Sequence, residues 1–206
     1  MLTIQDVLDK IKDGSLTGDD LHENLAKSEN KQGSKHVKAK GHALQHVAVL
    51  LDTPNGQFNY LKSNYHNRGK MKYHGETGEK VPVKGPQSHS QFKDQNEAVQ
   101  LICMALKTRD GIKALRALLD DKNTAKLEVG FQKGLTAYNR TTHCIGDSPG
   151  DTRNFVLVDE MSISGIILEL HNSCKVLNGL HFQSAYPTQN GPAPGQSILT
   201  IKEHTS

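Results

Sequence analysis

The chain has 206 residues, of which 35% are hydrophobic, and it contains no tryptophan. This length allows one domain with its own core, and the mean hydropathy of -0.58 predicts a modest core with generous loops. The three cysteines, Cys103, Cys144 and Cys174, lack CxxC or other ligand spacing, which argues against a zinc site or a disulfide framework. No apolar run approaches the roughly 20 residues of a membrane helix, and the N-terminus lacks the layout of a signal peptide, so we expect a soluble protein with no membrane partner.

The net charge of +3 is distributed unevenly along the sequence. Residues 1–30 carry three basic and seven acidic side chains, residues 31–90 carry ten and three, and residues 91–206 carry twelve of each. The middle segment, with a net charge of +7, also holds six of the eleven histidines. Basic charge combined with Gly, Asn, Ser and His suits a polyanion such as nucleic acid, and the alternative is a solvated, partly disordered tether.

The N-terminal residues predict two short helices. Apolar side chains in TIQDVLDKIK recur at the spacing of one helix face, and Gly14 ends this helix. Thr17 is a typical N-cap for a second helix that carries Leu21 and Leu25. We interpret residues 1–35 as a short helical segment or linker and residues 36–206 as the main domain.

The middle of the chain alternates between helix and loop patterns. Residues 39–51 present one apolar stripe and end at the turn-forming sequence DTPNG. Residues 55–90 show no sustained period and predict a long loop with at most one hairpin. Residues 93–108 are the clearest helix in the sequence, and residues 110–120 predict another.

The last part of the chain consists of short segments rich in β-branched and aromatic residues. Gly, Asn, Ser or Asp separates the segments, which are KLEVGF, the region around LTAYN, FVLVDE, SGIILELH and LHFQSAYP. This order predicts an α+β fold in which N-terminal helices pack against a twisted antiparallel sheet and form a cleft. In the last strand, alternation places Ser184 and Tyr186 on one side and His181 on the other unless a bulge intervenes.

Two histidines, His42 and His46, lie four residues apart in the predicted helix and share a face. The pair lacks the glutamate of HExxH and an evident third ligand, so it is weak evidence for zinc. Imidazole titrates near neutrality, as general acid–base catalysis requires. Proton chemistry without a metal is therefore the better interpretation of a functional pair.

Four short motifs, taken in order, resemble the ribonuclease A-like toxin domain at the C-terminus of bacterial contact-dependent growth inhibition proteins. The motifs are Gly41-His42, His46-Val47, Ser90-Gln91-Phe92-Lys93-Asp94 and Ser184-Ala185-Tyr186-Pro187. Each motif is degenerate, and the shared order over roughly residues 40–188 carries the resemblance. It implies a metal-independent endoribonuclease with no cofactor.

The resemblance implies specific roles for individual residues. The family's catalytic histidine falls on His46 and its hydroxyl pair on Ser184 and Tyr186. The spacing between the two histidines is one residue shorter than expected, so His42 is the alternative for the working position. The family's arginine falls in DTPNGQF, which contains none, and we expect Arg68 to replace it.

Cleavage of RNA without a metal needs a base for the ribose 2′-hydroxyl, an acid for the leaving 5′-oxygen, and a cation or donors for the phosphorane. His46 or His42 is the expected base, and His42 or His181 the expected acid. Arg68 and the two hydroxyls would stabilise the phosphate. Lys62, Lys70 and Lys72 are the expected substrate-binding cations, and the product would be a 2′,3′-cyclic phosphate.

The resemblance also implies a biological setting. Such a toxin is delivered as part of a larger secreted or cell-surface protein and acts in the cytoplasm of a competing bacterium. Its substrate is RNA, with transfer RNA as one candidate. A cognate immunity protein would cover the basic segment, so we expect that partner to be acidic.

Two other functional classes fit parts of the sequence. Arg68, the Ser162-Ile163-Ser164 segment and Glu169 follow the order of an ADP-ribosyltransferase site, although no Glu-x-Glu or Gln-x-Glu supports its catalytic end. A non-catalytic RNA-binding or partner-binding module would use the same basic charge, and its affinity would survive the loss of His46.

Overall fold

A computed structural model describes residues 1–29, 31–43, 47, 71–73, 80–82, 87–93, 95–145 and 153–204. The helices in this part of the chain are α1 Ile4–Lys12, α2 Gly18–Ser28, α3 Gln95–Lys107 and α4 Arg109–Ala117. The strands are β1 Met71–Tyr73, β2 Lys80–Pro82, β3 Gln87–Phe92, β4 Asn123–Ile145, β5 Arg153–Asn172, β6 Leu180–Thr188 and β7 Ser197–Glu203. Helices pack against an antiparallel sheet, so the predicted α+β class is confirmed. None of the described helices is long and apolar enough to cross a membrane.

The main sheet has five antiparallel strands. Strands β3, β4, β5 and β6 lie side by side in that order. Strand β7 pairs with the first part of β4, along the edge that β3 occupies further on. The short strands β1 and β2 form a separate antiparallel pair, as the predicted hairpin would.

Local capping explains why α1 and α2 form where the sequence predicted them. The side chain of Asp6 accepts a hydrogen bond from the backbone of Thr3 at 2.8 Å, and the Thr3 hydroxyl accepts one from the backbone of Asp6 at 3.1 Å. Asp20 accepts a hydrogen bond from the backbone N–H of Thr17 in the same way, at 2.8 Å. Each helix then buries the apolar residues of one face.

The helices α1 and α2 contribute to the same hydrophobic core as the sheet. The buried amide of Asn24 on α2 donates to the carbonyl of Leu180 at 2.7 Å and accepts from the backbone of Leu2 at 2.8 Å. It therefore joins the start of the chain, α2 and the start of β6. The boundary predicted near residue 35 does not divide this core, because the apolar faces of both short helices are buried within it.

One face of the sheet, which we call the apolar face, packs against the helices. In the region where β7, β4, β5 and β6 lie side by side, cross-strand partners on this face are almost all apolar. Its buried members are Ala125, Leu127, Val129, Ile166, Leu168, Leu170, Phe182 and Ala185. The last strands of the sequence therefore need the helices that precede them, because the helices remove this apolar face from water.

The structure corrects several boundaries predicted from sequence. KLEVGF and LTAYN, predicted as separate strands, belong to one strand, β4, with an irregularity between Gly130 and Leu135. FVLVDE and SGIILELH likewise join in β5. Gly130 pairs with Gly165, and a Cβ on Gly130 would collide with the carbonyl oxygen of Pro192, so this glycine permits close approach rather than ending a strand. Strands β3 and β7 were not predicted. The helix predicted at 39–51 is wrong at its start, because Lys40 and Gly41 form isolated β-bridges and His42 is not helical, so His42 does not lie on a helix face as predicted. Val47 is helical, and the rest of the predicted helix lies outside the described residues.

Candidate functional site

The opposite face of the same strands, which we call the polar face, carries the candidate site. Register places its residues in three cross-strand rows. The first row is Thr124, His171 and His181, the second is Lys126, Glu169 and Ser184, and the third is Glu128, Ile167 and Tyr186. Titratable and hydroxyl groups therefore lie side by side on three neighbouring strands.

A β-bulge in β6 is responsible for this grouping. Phe182 pairs with Leu170 and Ser184 pairs with Glu169, so Gln183 is the extra residue. The bulge resets the alternation and brings His181 to the face that Ser184 and Tyr186 occupy. Strict alternation predicted the opposite side for His181, and the bulge is the physical reason for the difference.

The open edge of β6 is covered by residues 31–43, which include the non-helical start of the helix predicted at 39–51. The backbone N–H of His42 donates to the carbonyl of Gln183 at 2.9 Å, and the amide of Gln183 donates to the carbonyl of Lys40. Gly33 lies against the ring of His181, where any side chain would collide with the imidazole. At Gly41 a Cβ would collide with the carbonyl oxygen of Ser28, so the segment lies close to α2 as well as to β6.

His171 and His181 form a buried pair. Their ring centroids are 5.9 Å apart and their planes are inclined by 42°. Burial is the main cause that lowers the pKa of each to about 4, and for His171 the neighbouring His181 and His204 contribute to this lowering. Both imidazoles are therefore neutral at pH 7, and a neutral, buried His181 does not favour the predicted role of proton donor.

Three polar atoms of the polar face are buried and lack a hydrogen-bond partner among the described residues. They are Nδ1 of His171, Nε2 of His181 and Oγ of Ser184. A buried polar atom without a partner costs about 1–3 kcal/mol. Such atoms are uncommon in folded proteins and call for a specific explanation, such as a bound group or a catalytic role.

Tyr186 lies one cross-strand row from Ser184 on the same face and is only partly buried. Burial raises the pKa of its phenol, the carboxylate of Glu169 raises it further, and the ammonium of Lys126 opposes both effects. The phenol therefore stays protonated at neutral pH and can donate a hydrogen bond to an oxyanion. Of the two predicted hydroxyls, that of Tyr186 is the more accessible.

The other predicted site residues lie elsewhere or outside the described residues. His42 is partly exposed, and its Nδ1 lies 3.4 Å from the carbonyl of Lys40. Lys72 lies on the short strand β1, and only its backbone is described. The residues that fall outside the description are His46, Lys62, Arg68 and Lys70.

The sequence analysis missed His171, Lys126 and Glu128 as site candidates. A signal for them was present, because Lys126 and Glu128 alternate with apolar residues in AKLEV, as Glu169 and His171 do in ILELH. This period-two pattern marks one polar face on each strand. Which rows line up across strands depends on register, which neither segment specifies alone.

No three His, Cys, Asp or Glu side chains come together as a metal-binding group within the described ranges. In the Ser162-Ile163-Ser164 segment of the ADP-ribosyltransferase alternative, Ser164 has a structural role. The hydroxyl of Ser164 donates to the carbonyl of Gln189 at 2.7 Å and accepts from the backbone of Gly191 at 3.1 Å. It fixes the turn after β6, which accounts for Ser164 without a ligand.

Comparisons of the chain with protein-family models, with curated proteins and with solved structures find no match. A functional interpretation of this chain therefore depends on its own motifs and on the geometry around β6.

Proposed function

We propose that this chain is a metal-independent endoribonuclease that cleaves RNA by attack of the ribose 2′-hydroxyl and leaves a 2′,3′-cyclic phosphate. The observation that carries the proposal is the convergence of three of the four sequence motifs on one strand, β6. The Gly41-His42 motif, the motif that starts at Ser90, and the Ser184–Pro187 motif itself meet there.

Two hydrogen bonds make this convergence concrete. His42 donates from its backbone N–H to the carbonyl of Gln183 at 2.9 Å, beside Ser184. The hydroxyl of Ser90 donates to the carbonyl of Pro187 at 2.7 Å, although the two residues are 97 positions apart. Motifs that were matched only by their order along the chain are thus neighbours in space, which supports a common site.

The proposed chemistry assigns a role to each group. A histidine, His46 or His42, takes the proton of the 2′-hydroxyl, and the resulting oxygen attacks the phosphorus. The 5′-oxygen leaves with a proton from a second group. Tyr186 and Ser184 donate hydrogen bonds to the phosphorane oxygens, where added charge makes each bond stronger than in the ground state.

The first test is RNA cleavage by the purified protein in excess EDTA. Cleavage should persist, because every proposed group belongs to the chain. Complete loss of cleavage in EDTA, restored by magnesium or manganese, would contradict the proposed mechanism.

The second test distinguishes the two histidines. His46→Ala should lower the cleavage rate by roughly 10²–10⁴-fold, the range for a positioned proton-transfer group, with folding and RNA binding nearly unchanged. If His42→Ala is the inactive variant instead, the roles are exchanged and the mechanism stands. If both variants cut at the parental rate, the ribonuclease assignment fails and a non-catalytic RNA-binding module becomes the better interpretation.

We further propose that the ribonuclease acts as a toxin between bacteria and that an acidic immunity protein neutralises it. The support is the family resemblance together with the charge of +7 in residues 31–90. Expression in a bacterium should arrest growth, and sequencing of RNA ends after brief expression would identify the RNA that is cut. Normal growth during expression of active enzyme would contradict the toxin role.

Release of nicotinamide when the purified protein is incubated with NAD would instead favour an ADP-ribosyltransferase.

A further inference from the structure

Lys126 lies in the middle of the polar face and is partly open to solvent. Its register partners are Glu169 on β5 and Thr200 on β7. Its Nζ lies 2.9 Å from a carboxylate oxygen of Glu128, and the two side chains are 43% and 22% exposed. A ligand that reaches this face from solvent would therefore meet the ammonium group of Lys126.

The charge of Lys126 reaches the phenol of Tyr186. The two groups interact electrostatically, since each changes the pKa of the other. Lys126 stands in the same row as Ser184, next to the row of Tyr186. A phosphate held by Lys126 would thus lie near the partly exposed phenol of Tyr186, the more accessible of the two hydroxyls that the proposed reaction uses.

The present partner of Lys126 is one that a stronger ligand can replace. Ion pairs between partly exposed side chains contribute only about 0–1 kcal/mol, so exchanging Glu128 for another anion costs little. The hydrogen bond to Glu128 is the main cause that raises the pKa of Lys126, and the carboxylate of Glu169 on the neighbouring strand raises it in addition, so the lysine is charged at neutral pH. The same carboxylates oppose an incoming anion, so we expect the affinity to be modest and to depend on salt.

We propose that Lys126 exchanges Glu128 for a phosphodiester of the substrate and holds that phosphate beside Tyr186. Its ligand class rests on the proposed ribonuclease function. In metal-free cleavage a cation must offset the charge that develops on the phosphorane. The ammonium group of Lys126 is such a cation, and its charge acts on the Tyr186 phenol.

The structure offers a matched control for Lys126. Lys113 on α4 pairs with Asp110 at 3.3 Å, and these side chains are 53% and 22% exposed. The two lysines have similar exposure and similar acidic partners, and Lys113 lies on a helix. Lys113→Met therefore reports the effect of losing one charge without losing the proposed site.

The first experiment measures binding of a short single-stranded oligonucleotide that is 2′-deoxy at every position, so that it cannot be cleaved. Fluorescence anisotropy over a range of salt concentrations gives both the affinity and the salt dependence. Lys126→Met should weaken binding about threefold to tenfold more than Lys113→Met. It should also reduce the slope of log K against log salt by about 0.7, the value for one phosphate contact on a single strand.

The second experiment frees Lys126 instead of removing it. Glu128→Gln removes the competing carboxylate and should tighten oligonucleotide binding. Asp110→Asn removes one negative charge elsewhere and should tighten it less. Both replacements preserve side-chain size, so far-UV circular dichroism should show the parental fold.

The outcomes separate this inference from the proposed function. Equal binding by the two lysine variants, equal binding by the two acidic-residue variants, or no measurable binding by the parental protein would each overturn the role of Lys126. Binding that depends on Lys126 in a protein that does not cut RNA would support the phosphate site and refute the ribonuclease. Cleavage that Lys126→Met leaves at the parental rate, with unchanged binding, would refute only the role of Lys126.

Discussion

The apolar and polar faces of the main sheet are built from the same strands, β7, β4, β5 and β6, and differ in what their side chains do. On the apolar face, cross-strand partners such as Leu127 and Leu168 are both buried, and the helices complete the core. On the polar face, the same strands bring Lys126 and Glu169 together, and the next row places His171 against His181. Because successive residues of a strand point to opposite faces, neighbouring residues contribute either to the hydrophobic core or to the candidate site.

The difference shows in how well each face is satisfied. Burial of the apolar face contributes roughly 25 cal/mol for each Å² of apolar surface removed from water. The polar face instead contains buried polar atoms on His171, His181 and Ser184 that lack hydrogen-bond partners among the described residues. A sheet face that accepts such a cost is better explained by function than by stability, which is the reason we place the site there.

The comparison predicts that the largest loss of stability comes from a substitution on the apolar face. Phe182 is fully buried under the helices, so Phe182→Ala should lower the free energy of unfolding by about 3–5 kcal/mol. Urea denaturation measures this change. Leu177→Ala is the control, because Leu177 is 85% exposed and its loss should change stability by less than about 0.5 kcal/mol. A loss for Phe182→Ala as small as the control would contradict the described core.

The histidine pair on the polar face predicts how stability depends on pH. Both folded-state pKa values are about 4, below the ordinary value, so the unfolded chain takes up protons first as the pH falls. Their contribution is fully present above about pH 6.5 and is lost as the pH falls toward 4. At about 1.4 kcal/mol for each unit of pKa depression, the loss is on the order of 3 kcal/mol for each histidine.

Urea denaturation between pH 7 and pH 5 tests this pH dependence, because few carboxylates titrate in that range. The charged and titratable groups near the pair, Glu169 and His204, stay in place in the test variant. His181→Leu should remove about half of the loss in stability. His22→Gln is the control, since His22 is partly exposed on α2. Stability of the parental protein that stays constant over this range would contradict a buried neutral pair.

The hydroxyls of the polar face predict a smaller effect, confined to catalysis. Tyr186→Phe and Ser184→Ala should each lower cleavage by about one to two decades, since a hydrogen bond to a charged group contributes roughly 1.5–3 kcal/mol. Ser184→Ala should leave the free energy of unfolding nearly unchanged, because Ser184 Oγ has no partner to lose in the described structure. The control is Ser162→Ala, an exposed serine on β5. Full activity in both hydroxyl variants would remove β6 from the site.

The smallest predicted effect lies away from both faces, at the start of α1. Thr3→Ala removes the hydroxyl that caps the helix and should lower the free energy of unfolding by about 1 kcal/mol. The exposed Ser15 does not lie at a helix N-cap, so Ser15→Ala should have a smaller effect. Equal values for the two variants, measured by thermal unfolding, would show that the capping box adds nothing to this fold.

The sequence predicted those features that local chemistry determines. Helices α1 and α2 follow the N-cap residues Thr3 and Thr17, because each cap and its apolar spacing lie within a few residues of each other. The length of β4 could not be read in this way, since Gly130 resembles a strand end until its partner Gly165 is known. The bulge at Gln183 depends on pairing with β5, so no pattern within LHFQSAYP specifies it.

The candidate site was predictable to the same extent. Ser184 and Tyr186 follow from the motif of a single strand, and the structure keeps them on one face. Lys126 and His171 come from other strands, and only register brings them to the rows of Ser184 and His181. Non-local pairing therefore accounts for the part of the site that the sequence analysis missed.

The most direct measurement of the central claim is the chemical identity of the RNA ends that the purified protein produces in EDTA. Mass spectrometry of a short RNA after partial digestion should find a 2′,3′-cyclic phosphate on the upstream fragment and a 5′-hydroxyl on the downstream one. An oligonucleotide with 2′-deoxyribose at the cleaved position should stay intact. Fragments that end in a 3′-hydroxyl and a 5′-phosphate, or cleavage of the 2′-deoxy substrate, would contradict attack by the 2′-hydroxyl and with it the proposed role of the polar face.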